Sequence, residues 1–182
     1  MIECGLSGVW MVDGRPVEDP NEQDLVVWDQ TALRRHDLDV RVAQCNLAMS
    51  HQRGTIRGLH WQKSPFEEVK IVRALRGRIF DVAVDLRPHS PTFRRWIGLE
   101  LAEDHPRALY VPAGFAHGYQ TLTDEVAVLY TVSAAYSPLH QGGARWNDPA
   151  FGIEWPLAAT MIHERDAAYP DFRWDDAVLR KA

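Results

Sequence analysis

Lysine is nearly absent from this 182-residue chain: among 20 basic residues only Lys63, Lys70 and Lys181 are lysine, and the rest are arginine. A GC-rich coding sequence gives the same bias, yet each lysine stands out as a position where a compact, rotatable ammonium replaces the planar guanidinium. Cysteine is scarce as well. Cys4 and Cys45 form no Cys-x-x-Cys, which excludes zinc ribbons and thioredoxin-like chemistry, and Cys45 is expected to be a buried structural thiol. No stretch of about 18 residues is free of charge, so no membrane-spanning helix is expected. The opening residues MIECGLSGVWMVDG lack a basic segment leading into an apolar run. They are not read as a secretory leader, and with reduced cysteines the expected compartment is the cytoplasm. A formal net charge of −5 denies the chain the basic face of a general nucleic-acid binder.

Repeats, low-complexity tracts and Gly/Ser linkers are also missing, and one domain over residues 1–182 is expected. A chain of this length buries about 70% of its unfolded surface and needs no disulfide or metal to hold a core. Helix signals are few: Asp29–Arg35, and near the C-terminus Thr160–Tyr169 and Asp175–Leu179, within a segment of about 160–182. What is present is β punctuation, with Pro and Gly scattered between short alternating runs. The expected strands are Leu25–Trp28, Val40–Leu47, Gly54–His60, Glu68–Arg76, Arg78–Asp85, Arg94–Leu101, Ala108–Val111, Gly118–Leu122 and Val126–Ala134. In Arg78–Asp85 the residues Ile79, Asp81, Ala83 and Asp85 share one face, a mixed face suited to lining a cavity. Arg76-Gly77-Arg78 reads as a hairpin turn and Pro88-His89-Ser90-Pro91 as a loop. The expected fold is all-β, a barrel or sandwich with small helices at its ends.

Two motifs carry chemistry. Val111–Tyr119 (VPAGFAHGY) contains Pro-x-Gly-x-x-His, a turn able to swing His117 into a barrel mouth. Upstream, IRGLHWQ supplies His60. Together they point to a cupin, the double-stranded β-helix or jelly-roll barrel. A metal cupin brings three or four ligands together, commonly from His-x-His followed by Glu. Here Trp61 and Gln62 follow His60, and Lys70 lies two residues past Glu68, which is a poor site for a divalent ion. The other chemistry open to inward His, Lys and Tyr is proton transfer at a carbon beside a ketone. It needs a base near neutrality, a cation at the ketone oxygen and an acid on the opposite face. His60, Lys70 and Tyr130 can fill these roles if their three strands neighbour one another. A metal-dependent cupin and a non-catalytic binding module remain the alternatives.

The chain resembles the dTDP-4-dehydrorhamnose 3,5-epimerase family. The matching stretches are RGLHWQ (Arg57–Gln62), KIVRALRGRIFDVAVDLRPHSPTF (Lys70–Phe93), VPAGFAHGY, VLYTVSAAYSP (Val128–Pro138) and WNDPAFGIEWP (Trp146–Pro156). The resemblance implies a cupin-like barrel that epimerises a nucleotide-linked 4-keto-6-deoxy sugar at carbon 3, carbon 5 or both, without metal or redox cofactor. It also implies a homodimer that exchanges N-terminal strands. By the same resemblance His60 is the base, Asp166 its carboxylate partner, Tyr130 the opposite-face acid and Lys70 the lysine at the keto oxygen. His117 and Asp81 are pocket residues, Arg57 lies near sugar and diphosphate, and Gln44 and Asn46 precede it. A single-position epimerase or ketoisomerase on a GDP- or CDP-linked sugar is the alternative within this class.

Several positions depart from the family pattern. Glu18–Asp29 (EDPNEQDLVVWD) holds no arginine where the family reaches a partner's diphosphate. Leu47 and Ala48 replace polar residues. Gln-x-Lys has become Glu68-Val69-Lys70, the tyrosine pair is Ala135-Tyr136, and Gln141 stands for a glutamate. These are substrate-side positions, and Glu68, Tyr136 and Gln141 are therefore candidate substrate contacts.

Overall fold

The computed structural model describes residues 1–17 and 24–173. Its strands are β1 (Ile2–Glu3), β2 (Trp10–Asp13), β3 (Arg15–Pro16), β4 (Leu25–Val26), β5 (Gln44–Ser50), β6 (Thr55–Gln62), β7 (Lys70–Arg76), β8 (Arg78–Asp85), β9 (Trp96–Ala102), β10 (Arg107–Val111), β11 (Phe115–Thr121), β12 (Val126–Val132), β13 (Gln141–Gly143) and β14 (Met161–Ile162). Two short helices, α1 (Gln30–Arg34) and α2 (Glu164–Ala167), complete it. One sheet runs β1-β2-β10-β7-β12-β5; a second runs β13-β6-β11-β8-β9, with β14 added beside β6. This is the all-β, cupin-like barrel expected.

Alternation explains why the sheets face each other. Val72, Ala74, Leu109 and Val111 of the first sheet meet Ile79, Ala83, Phe115 and Tyr119 of the second in one buried cluster. Along β8 the other face, Phe80, Val82 and Val84, packs outward under Phe151, Ile153 and Trp155. The outer face of the first sheet, with Trp10, Ile71, Ala108 and Tyr110, is covered by Leu33 of α1 and by Trp28. Asp29 caps α1 through its carboxylate, which accepts the Thr31 and Ala32 N–H groups, as a residue of its type does at a helix start.

Four expectations are corrected. The turn at Gly77 is no hairpin: β7 pairs with β10 and β12, whereas β8 pairs with β11 and β9. Gly77, at φ +70°, carries the chain from one sheet to the other, a backbone region glycine enters without steric cost. The strand expected at Val40–Leu47 is shifted to Gln44–Ser50, because pairing with β12 sets its length. The helix expected over Thr160–Tyr169 is reduced to one turn, since Met161 and Ile162 pair in parallel with Thr55 and Ile56 instead. Cys45 is exposed, not buried, because it points outward from edge strand β5. The expected helix Asp175–Leu179 lies outside the described residues.

Asp85 illustrates the mixed face of β8. Buried, it accepts hydrogen bonds from Arg87, Ser90 and Thr92. Burial pushes its pKa up, but these donors and the Arg87 N–H overcome it and hold the carboxyl at about 2. Asp85 thus anchors the loop after β8, and of the two aspartates only Asp81 belongs to the site below.

Candidate active site

His60 projects inward from β6. Its Nε2 lies 2.7 Å from Asp166 Oδ1, although the residues are 106 positions apart. Asp166 comes from α2 and is buried, with its other oxygen accepting the Gly58 N–H at 3.0 Å. That bond depends on glycine. Gly58 sits at φ +109°, and a Cβ there would lie 2.7 Å from both Gly118 Cα and His117 O, closer than side chains approach a backbone. With the carboxylate fixed, Nε2 carries the proton it donates and Nδ1 keeps the lone pair.

The electrostatics favour a neutral ring. Burial lowers the His60 pKa; the Asp166 hydrogen bond and charge oppose it, and the Lys70 and Arg165 charges reinforce it. The net direction is downward, so the ring is neutral at physiological pH. For Asp166, burial acts upward, but the His60 contact, the Gly58 N–H and Arg165 prevail and the carboxyl is held at about 2. Arg165 Nη2 stands 3.3 Å from His60 Nε2, a cation that discourages a charged imidazole.

Opposite His60, β12 carries Tyr130 and β7 carries Lys70. These two strands pair directly, with Tyr130 beside Val72 and Val132 beside Lys70. Strand β6 does not neighbour them, as the sequence reading required. It lies in the facing sheet, and the groups meet across the barrel. His60, Lys70, Tyr130 and Arg165 line both of two adjoining cavities, of about 300 and 250 Å³. Burial raises the Tyr130 pKa, the Glu68 charge adds to this and Arg57 subtracts from it, so the phenol keeps its proton.

Of the residues singled out in the sequence, Gln44, Asn46, Glu68, Tyr136 and Gln141 line the first cavity. Arg57, His117 and Asp166 line the second. Asp81 stands behind the wall, fully buried, 2.8 Å from His117 Nε2, with its Oδ2 lacking a partner among the described residues. The Tyr136 hydroxyl donates to Gln141 Oε1 at 2.5 Å. Arg57 is steadied through Nε on Ser50 Oγ at 3.2 Å and Nη2 on Met49 O at 3.3 Å. Among the described residues no three His, Cys, Asp or Glu side chains gather as a metal-ligand set.

The sequence reading missed Gln62, Arg165 and Tyr169. Gln62 ends the RGLHWQ motif, and its inward period with His60 was the available signal. Arg165 adjoins Asp166. Tyr169 stands edge-on to His60, ring centroids 6.3 Å apart, over Gly143, where any Cβ would enter its ring. Nothing local to Tyr169 or Gly143 announces that contact.

A protein-family model described as dTDP-4-dehydrorhamnose 3,5-epimerase matches residues 3–173. This chain belongs to that family. Its members are isomerases acting on carbohydrates, and so is this chain. The dTDP-4-dehydrorhamnose 3,5-epimerase of Sinorhizobium fredii is 45% identical over 145 residues, covering 79% of this chain and 74% of the relative. That of Methanothermobacter thermautotrophicus is 37% identical over 181 residues, 98% of this chain and 97% of the relative. The crystal structure of the Bacillus anthracis enzyme with TDP and PPi bound superposes with a TM-score of 0.89 at 36% identity, covering 94% of this chain and 98% of that one. A 3'-monoepimerase from Streptomyces bikiniensis in complex with dTDP-quinovose gives 0.86 at 30% identity, covering 97% and 89%.

Proposed function

We propose that this chain is a metal-independent epimerase of a dTDP-linked 4-keto-6-deoxy sugar, with His60 as base and Tyr130 as acid. The observation that carries this reading is the His60 ring, locked by buried Asp166 and sharing one cavity with Lys70 and Tyr130. His60 Nδ1 takes the proton from the carbon beside the ketone, carbon 3, carbon 5 or both. The C–H electron pair becomes a C=C bond, and the carbonyl pair moves onto oxygen 4. Lys70 Nζ donates to that oxyanion, where positive charge counts most in a closed site. Tyr130 then gives its proton to the opposite face and the ketone reforms. His60 returns its proton to solvent and Tyr130 regains one, so nothing is consumed. Arg57 and Arg165 supply planar cations for the diphosphate. The family membership and the dTDP-bound relatives support the nucleotide.

Incubation with a dTDP-linked 4-keto-6-deoxy sugar in deuterated water should wash deuterium into carbons flanking the ketone. No incorporation would end this reading. Tyr130→Phe should lower inversion by about 100-fold but exchange by less than about 10-fold, since abstraction by His60 precedes the acid step. Equal loss of both would remove Tyr130 from the acid's role.

The same reading includes a homodimer. Outward-facing Cys45, Leu47 and Met49 on β5 lie beside Thr131, Leu129 and Ala127 on β12. Leu47 is 58% exposed and Met49 48%, with Leu75 on nearby β7 also 48%. Contiguous apolar surface of this kind marks an association face. Amid it, the guanidinium of Arg73 is buried with Nη1 unpartnered among the described residues. Leu47→Glu should halve the mass seen by light scattering at micromolar protein; an unchanged mass in both forms argues against this face.

A further inference from the structure

Glu68 is an anion in a cavity that must stabilise developing negative charge, and the mechanism above gives it no task. It lies two residues before Lys70, in the segment that leads into β7, and both side chains line the first cavity. Glu68 Oε1 lies 3.1 Å from Lys70 Nζ, and the two side chains are only 12% and 11% exposed. Glu68 Oε2 accepts from Gln62 Nε2 at 3.3 Å. Gln62 is itself fixed: its amide N–H groups also reach Phe66 O and Ala135 O, each at 3.1 Å, and its Oε1 accepts the Ser137 N–H at 2.6 Å. Glu68 is therefore tied at both oxygens, to Lys70 and to an amide that itself bonds three backbone groups. An ionised carboxylate offers about four acceptor positions; these two contacts leave acceptor capacity toward the cavity that Glu68 lines.

The pair presents a pure donor beside a pure acceptor. A lysine ammonium can only donate, and a carboxylate can only accept. The complementary ligand carries an acceptor next to a donor, which is the pattern of a ketone flanked by a hydroxyl or an amine. We propose that Glu68 is a specificity-determining residue that, together with Lys70, recognises a hydrogen-bond donor on the carbon adjacent to the ketone. The inference rests on the epimerase reading and assigns to Glu68 the contact with the hydroxyl or amino group at carbon 3 of that sugar. A sugar lacking that donor would press an apolar carbon against a desolvated carboxylate and leave it short of a partner. The cost of such a lost charged hydrogen bond corresponds to about 10- to 100-fold in rate or affinity. A substituent ending in a carboxylate would meet like charge and be rejected more strongly.

The test compares two dTDP-linked 4-keto-6-deoxy sugars, one with a hydroxyl at carbon 3 and one deoxygenated there, by deuterium uptake at carbon 5. That carbon is common to both sugars and remote from the altered group. Wild-type protein should favour the hydroxylated sugar by about 10- to 100-fold in kcat/KM. Glu68→Gln should reduce this preference to below about threefold, while uptake at carbon 5 of the hydroxylated sugar continues. Equal use of both sugars by the wild type overturns the proposal but leaves the epimerase reading intact. Full preference retained in Glu68→Gln also overturns it. Absence of uptake from both sugars in the wild type sinks the two together. If Glu68→Gln does not fold, Glu68→Asp takes its place: the shorter carboxylate should lower the preference, and full preference retained there overturns the proposal.

Discussion

His60→Asn is expected to stop proton exchange at the carbons beside the ketone, with a loss of about 100- to 10,000-fold, the range a positioned general base contributes. Asparagine removes the ring and its Nδ1 lone pair, and although its shorter amide gives up the 2.7 Å contact to Asp166, that carboxylate keeps the Gly58 N–H at 3.0 Å. The fold should therefore survive, and the dTDP nucleotide should still bind, because Arg57 and Arg165 are unchanged. The wild-type pH dependence follows from the same group. The base must be unprotonated, and burial lowers its pKa from the usual 6.5. The acid limb of kcat/KM should consequently lie below pH 6.5, with activity falling as pH drops through it. Exchange at wild-type rate in His60→Asn would assign the base to another residue.

Asp166→Asn is expected to cost about 100-fold in kcat and to leave a distinctive pH signature. The wild-type carboxylate fixes which ring nitrogen carries the proton and raises the His60 pKa against burial. An asparagine amide can present either end to Nε2, so part of the population holds the wrong tautomer. Its neutrality also removes the contribution that supported protonation, so the acid limb should move to still lower pH as the plateau falls. A merely structural defect would lower the plateau without moving the limb. Stability gives a second reading. The folded-state pKa of Asp166 is lowered to about 2, against an unfolded value of about 3.9. Its stabilisation is present in full above the unfolded value and is lost as pH falls through about 2. The stability gap between wild type and variant should thus narrow between about pH 4 and pH 2. A gap independent of pH in that window would contradict the ionised state assigned to Asp166.

The strands were legible because burial imposes a period of two on each of them. Arg78–Asp85 is found over the very residues expected, its apolar residues split between the inter-sheet core and the outer layer. Motif residues were legible because turns demand glycine and proline at fixed offsets. Gly77 was misread because a left-handed residue between two strands reads alike as hairpin turn and as crossing between sheets. Met161 and Ile162 were read as helix because a two-residue strand pairing in parallel with β6 leaves no periodic trace. Tyr169 and Gly143 escaped notice because their packing on the base is long-range.

Composition, alternation and motifs by themselves pointed to an all-β barrel and to which residues share a strand face, while the roles of His60, Lys70 and Tyr130 came from the family resemblance. Only the tertiary structure decided how those groups meet. Strand β6 faces β7 and β12 across the barrel instead of lying beside them, and Gly58 and α2 bring Asp166 to His60 from the far end of the chain. Period sets the face a side chain occupies but not the strand it confronts. That choice is made by pairings between distant segments, whose free energy is realised only when the whole barrel closes.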